Sequence, residues 1–209
     1  YTPLSEPAVD VAIGRYPVSS TDALDVMLDK LESYLDYRMA GQWQNRVLLV
    51  ADDERVVDPL TREPFHTQQV DSVATERIPP AMDKVKVYLV NYPRDAFSKK
   101  PEAQRAFIDE FTRGALMTSY TGHGDQNTMA QEEVFVSQKI SEVLNEDRFT
   151  VFSTFSCTVS RFDLISGSGL TELLLEHEGG GAVTTCASGG LVFPTPSWTL
   201  NREWLGEMY

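Results

Sequence analysis

Cysteine and histidine are scarce in this chain, and positive charge is far outnumbered by negative. Two cysteines, Cys157 and Cys186, stand in 209 residues, too few for a disulfide framework to hold the fold. The three histidines, His66, His123 and His177, are so dispersed that no pair has metal-ligand spacing, and a zinc motif is not expected. Lys and Arg together number 18 against 31 Asp and Glu, a formal net charge of −13. Phosphate binding needs clustered cations, and the acids are spread along the whole chain, so nucleic acid is excluded as a partner. No apolar run approaches the roughly 20 residues of a membrane span, and the opening YTPLSEPAVD has no basic stretch followed by an apolar one. Membrane contact is therefore not expected from this sequence. The closing SWTLNREWLGEMY is amphipathic and carries no stop signal, so flanking sequence is expected on both sides.

What is present is an alternation of short β-branched runs with longer amphipathic segments. Strands are predicted at 47–51, 85–90, 115–121, 149–156 and 181–187, and helices at 21–38, 66–78, 101–114, 136–145 and 168–179. The first helix is the clearest. Ser20 or Thr21 can cap it, Asp22 and Asp25 suit its first turn, and Leu24, Met27, Leu28, Leu31 and Leu35 form an apolar stripe. Helix and strand in repeated alternation specify an α/β fold, a parallel sheet covered on both faces. The Pro- and Gly-rich pieces, including Pro194 to Pro196, read as loop punctuation.

In such sheets chemistry gathers beyond the carboxyl ends of the strands. The first predicted strand ends in Asp52-Asp53-Glu54, the third in Gly122-His123-Gly124, the fourth in Ser156-Cys157-Thr158. Taken singly, Gly-His-Gly is a turn signal and a cysteine at a strand end is an inert thiol. Taken together, acid, imidazole and thiol on one edge are the parts of a cysteine nucleophile system. Cys157 follows His123 by 34 positions, enough for one crossover between adjacent parallel strands. Gly122 lets the chain turn out of its strand. Gly124 admits a substrate carbonyl to the main chain, where the amides of Gly124 and Cys157 can form an oxyanion hole. Cys186, inside a strand pattern, is assigned to the core; His66 and His177, at helix ends, are assigned structural or surface roles. Asp52-Asp53-Glu54 reads as solvated loop acids, with calcium binding as the alternative.

These residues resemble the gingipain-like cysteine peptidases. The likeness is carried by VAIGRYPV (11–18), VLLVADDE (47–54), YTGHG (120–124), AQEEVF (130–135), FSTFSCTVSRFD (152–163) and GGGAVTT (179–185), in family order along nearly the whole chain. The resemblance implies a caspase-like, three-layer α/β/α fold with a mostly parallel sheet. It also implies that residues 1–209 are the catalytic subdomain of a longer protein, lacking an upstream subdomain and a downstream segment. It makes Cys157 the nucleophile, His123 the general base and acid, and Gly124 a part of the oxyanion hole. The additional acid falls on Asp53, with Asp52 as the alternative. No cofactor is implied beyond structural calcium. The AQEEVF and SRFD segments most resemble the members that work in type IX secretion, which remove C-terminal sorting signals and join the new ends to a surface anchor. By that likeness the partners are protein or peptide substrates and secretion-system proteins, and the location is extracellular or on a bacterial outer-membrane surface.

Two positions depart from the family pattern. Arginine-specific members carry a pocket acid at a place that falls near Phe65, with Glu63 close by, so arginine specificity is not implied. Signal-processing members carry an acid directly after the nucleophile, where this chain has Thr158. Three functions stay open: an endopeptidase whose thioester is resolved by water, a sortase-like transpeptidase whose thioester is resolved by an amine, and a non-catalytic binding module of a secretion assembly.

Overall fold

The computed structural model describes residues 13–53, 56–58, 61–62 and 66–209. Nine strands occur among them: β1 (Arg46–Ala51), β2 (Val56–Asp58), β3 (Thr61–Arg62), β4 (Asp83–Tyr88), β5 (Met117–Thr121), β6 (Thr128–Met129), β7 (Phe135–Val136), β8 (Thr150–Thr154) and β9 (Ala182–Ala187). Five α-helices accompany them: α1 (Thr21–Leu35), α2 (His66–Glu76), α3 (Pro101–Thr112), α4 (Leu170–Glu176) and α5 (Pro194–Glu207). The central sheet runs β4-β1-β5-β8-β9 with every pairing parallel; β2-β3 and β6-β7 are small antiparallel pairs at its edge loops.

Side-chain alternation sends the two faces of the sheet into two apolar layers. Leu48 and Val50 of β1 join Met27, Phe107, Phe111, Phe152 and Leu174 under α1, α3 and α4. Val47, Leu49 and Ala51 join Val70, Val73, Met117 and Leu205 under α2 and α5. Because β1 is buried on both faces it reads as one unbroken apolar run, VLLVA. The three-layer α/β/α arrangement expected from the sequence is the one observed.

Local differences have physical causes. Segment 136–145 forms only a 3₁₀ turn, Ser137–Glu142, because Val136 is drawn into β7 opposite Thr128. The helix expected over 168–179 is shortened to α4. At its start, Gly169 lies against the backbone of Arg161 and donates its N–H to Glu172 at 2.7 Å; at its end, the His177 ring meets the Val143 carbonyl at 2.8 Å. Pro194 opens α5 rather than a loop, since a first-turn proline forfeits no helical hydrogen bond.

The apolar stripe expected on α1 is corrected most. Ser20 does cap the helix, accepting from the Ala23 N–H at 3.1 Å, but Leu28 and Leu35 are 43% and 64% exposed. The buried face is Met27, Lys30 and Ser33. Lys30 Nζ donates to the carbonyls of Leu174 and Leu175 at 3.1 and 2.7 Å, two of the orphan acceptors at the end of α4. Ser33 donates to Asp147 at 2.7 Å. Tertiary partners, not the leucines, therefore set the rotation of α1.

Burial drives the Lys30 ammonium down from 10.5 to about 7, with Glu176 opposing. Between those values the unfolded chain still holds a proton that the folded chain has released, so stability rises with pH. Below the lower value both states are charged and the burial cost is felt in full. Urea midpoints taken from pH 6.5 to 9.5 should climb in the native protein and climb less in Lys30→Met; equal slopes would show that the buried ammonium carries no such cost.

Candidate active site

The parallel register places three strand ends side by side. Ala51 of β1 pairs with Thr121 of β5, and Tyr120 of β5 pairs with Thr154 of β8. Asp52, His123 and Cys157 thus leave three adjacent strands within three residues of their ends, on the carboxyl edge of the sheet. The histidine rises from the middle strand, between the acid and the thiol.

Asp52 is 1% exposed and organises the histidine loop. Its Oδ2 accepts the His123 N–H at 2.9 Å, and its Oδ1 accepts the Asp53 N–H at 2.8 Å. The Asp52 N–H donates to the Thr121 carbonyl at 3.0 Å. Tyr120, fully buried, donates its hydroxyl to the His123 carbonyl at 2.6 Å and stands 3.4 Å from Asp52 Oδ2. Burial pushes the Asp52 carboxyl up to about 7, against the opposing effect of the His123 amide.

The flanking glycines are required by close approach. A Cβ on Gly122 would lie 2.3 Å from Asp52 Cβ and 2.5 Å from the Tyr120 hydroxyl. A Cβ on Gly124 would lie 2.5 Å from Val159 Cγ2 and 3.1 Å from Ser156 Cβ. The space beside Gly124 therefore belongs to the cysteine loop: Gly124 lets the histidine and cysteine loops pack together, a role the sequence reading did not foresee.

The cysteine loop is held from the other side. Thr158 donates its N–H to the Gly190 carbonyl at 2.9 Å, Ser160 to Ser188 at 3.1 Å, and Ser188 to Thr154 at 3.2 Å. Thr158 has φ +53°, left-handed backbone that a β-branched residue rarely adopts. That strain sits directly after Cys157, whose Sγ lies 3.6 Å from the Val192 carbonyl.

Cys157 and His123 line one cleft of about 260 Å³, closed by Val192, Trp198 and Asn201 and by His66. On its other side His123 borders a polar cleft of about 490 Å³ formed with Lys99, Asp125 and Glu133. The contribution of α5 was not legible in the sequence. Asn201, 4% exposed, bonds Ser119 and Thr121 on β5 and so seats α5, with Trp198, over the cleft.

Of the two roles expected for His66, a surface position is corrected: the residue is 6% exposed, lines the cleft, and packs its ring at nearly a right angle to that of His123 with centroids 5.8 Å apart. A topological signal was available, since the helix following a parallel strand begins on that strand's carboxyl edge. Ligand atoms of Asp52, His66 and His123 lie within 4.8 Å of one another, a spacing that the dispersed sequence positions hide.

Asp53 is not a solvated loop acid. It pairs with Arg94 at 2.7 Å and Lys100 at 2.8 Å, and Arg94 also meets Glu132 of the AQEEVF segment at 2.7 Å. Of the two acids it is Asp52, not Asp53, that bonds the histidine loop. Cys186 lies within edge strand β9 and is half-buried, its thiol pushed up by burial. Glu54, Glu63 and Phe65 lie outside the described residues.

Residues 2–209 match peptidase family C25. The chain belongs to this family. No curated protein matches the sequence. Among solved structures, the fold is similar to the Arg-specific cysteine proteinase gingipain R (RgpB), at TM-score 0.69 and 20% identity over 92% of this chain and 44% of that one. It is also similar to the complex of Porphyromonas gingivalis RgpB pro- and mature domains, at TM-score 0.73 and 18% identity over 95% and 45%. A third similar structure, of a protease, has TM-score 0.66 and 14% identity over 90% and 38%. The chain therefore spans less than half the length of the structures it matches. Among its described residues no helix is long and apolar enough to cross a membrane.

Proposed function

We propose that this member of family C25 carries the catalytic subdomain of a cysteine endopeptidase, with Cys157 as nucleophile and His123 as general base and acid. The observation that carries the reading is the cleft shared by these two side chains at the ends of adjacent parallel strands. His123 takes the thiol proton as Sγ attacks the scissile carbonyl carbon, and the oxyanion faces the amides of Gly124 and Cys157. The tetrahedral intermediate collapses by breaking the C–N bond; His123 returns the proton to the leaving amine, and a thioester remains on Cys157. Water attacks that thioester to release the acid and regenerate the thiol; an amine in its place gives transpeptidation through the same groups. Asp52 positions His123 by holding its main chain.

The cleft beside Cys157 serves the side chain that precedes the cut bond. Val192, Pro194 and Trp198 give it apolar walls, His66 and Gln69 give it polar groups, and no described lining residue is acidic, which suits a neutral side chain better than arginine. The likeness of AQEEVF and SRFD to signal-processing members supports exported proteins as substrates, secretion-system proteins as partners and a location outside the cell or at the outer-membrane surface.

The test is covalent labelling of the intact protein at neutral pH with an electrophilic peptide, read by mass spectrometry. Cys157 should be modified in preference to Cys186, and His123→Ala should remove the preference. Equal labelling of the two thiols would leave the non-catalytic module as the better reading.

A further inference from the structure

Beyond the dyad, the edge of the sheet gathers a second set of donors. Asp52 follows β1, His66 opens α2 and His123 follows β5, and each brings one ligand atom to a group whose atoms lie within 4.8 Å of one another. We propose that Asp52, His66 and His123 form a reversible binding site for a zinc-class divalent metal ion, and that the bound ion inhibits the enzyme by occupying His123. The inhibitory part rests on the reading of His123 as the general base; the binding part does not.

Two imidazoles and one carboxylate suit Zn²⁺ and its first-row neighbours, whereas Ca²⁺ and Mg²⁺ call for oxygen ligands. Metal–ligand bonds of about 2.0–2.2 Å put tetrahedral ligand atoms roughly 3.3–3.6 Å apart, so the group must draw in by about an ångström. The imidazoles must supply that movement, since the carboxylate is already held. Asp52 is anchored by the amides of His123 and Asp53.

The surroundings match what metal-bound histidines use. Gln69 Oε1 stands 3.4 Å from His66 Nδ1. An amide oxygen there is the kind of partner that orients a metal-bound imidazole through its other nitrogen. Asp52 and His66 are 1% and 6% exposed, which limits competition from water, and both histidines line the cleft. The neighbouring acidic group, Asp52 with Asp53 and Glu132, is different. Arg94 and Lys100 stand against Asp53, and Arg94 also stands against Glu132, so cationic side chains of the protein already supply its positive charge.

The consequence for chemistry is direct. An imidazole nitrogen that donates its lone pair to a metal cannot accept the Cys157 proton, and a chelator restores it. The thiol of Cys157 lies across the same cleft, so a simple His–Cys metal clamp is the competing arrangement, and the experiment must separate the two.

Zn²⁺ is titrated into the intact protein and into its Cys157→Ala and His66→Gln variants by calorimetry. One equivalent should bind to the native protein and to Cys157→Ala, and His66→Gln should bind at least about 100-fold more weakly. Retained binding in a folded His66→Gln together with loss in Cys157→Ala would overturn the site in favour of the clamp, as would absence of stoichiometric binding. X-ray absorption at the zinc edge of the unsubstituted complex serves even if a variant fails to fold. Nitrogen and oxygen scattering alone is expected, and a sulfur shell overturns the proposal. Zinc should also slow peptide cleavage by the native protein, with activity recovered on chelation; acceleration would overturn the inhibitory role. If Cys157 proves unreactive toward electrophilic peptides but zinc binds as described, the peptidase reading fails and the metal site stands; the reverse pair of results removes the metal site alone.

Discussion

Cys157→Ala should lower peptide cleavage by the intact protein at least about a thousandfold, the scale on which removing a nucleophile acts. The loss is chemical, since the cysteine is only half-buried and, among the described residues, its thiol meets the Val192 carbonyl at a distant 3.6 Å. Its removal should leave the unfolding midpoint nearly unmoved. His123→Ala should cost a similar factor, and the double substitution little more, because a base without its nucleophile has no proton to take. Progress curves with a fluorogenic peptide carrying a neutral residue before the cut bond measure all three. Residual activity within tenfold of native in Cys157→Ala would mean that another group attacks the substrate.

Gly122→Ala should be the most damaging small substitution in the histidine loop. The added methyl would meet Asp52 Cβ at 2.3 Å and the Tyr120 hydroxyl at 2.5 Å, and these residues are 1% and 0% exposed. Overpacking alone costs about 1–3 kcal/mol. Displacing Asp52 also breaks its bond to the His123 amide and leaves a buried donor unmet, for about 1–3 kcal/mol more. A destabilisation of about 3 kcal/mol or greater is expected from urea unfolding, with turnover reduced even where the variant remains folded. Gly190→Ala is the control, because a Cβ there meets nothing within 4 Å; its cost should stay within about 1 kcal/mol. Equal midpoints for the two variants would show that the loop relaxes around the methyl and does not hold His123 by close contact.

Much of the architecture was legible before any coordinates. All five central strands fall within or beside the expected runs, because β-branched apolar stretches bounded by turn signals have few other places to go in an α/β protein. The edge on which the chemistry gathers followed from the same pattern, and Asp52, His123 and Cys157 were visible as strand-end residues. Elements without strong local signals were less secure. The 136–145 segment had helical spacing, yet pairing of Val136 with Thr128 overrode it. On α1 the leucine stripe was outweighed by carbonyls of α4 that needed a donor, which Lys30 provides.

The sequence by itself determined an acidic α/β chain with a thiol and an imidazole at strand ends, one crossover apart, because periodicity and crossover length are local properties. Only the tertiary structure decided which acid serves the histidine loop, brought His66 against His123, seated Trp198 and Asn201 of α5 over the cleft, and gave Gly124 a packing role. Each of those outcomes joins residues far apart in the chain through burial and close contact, and the spacing of letters along a sequence carries no record of such distances.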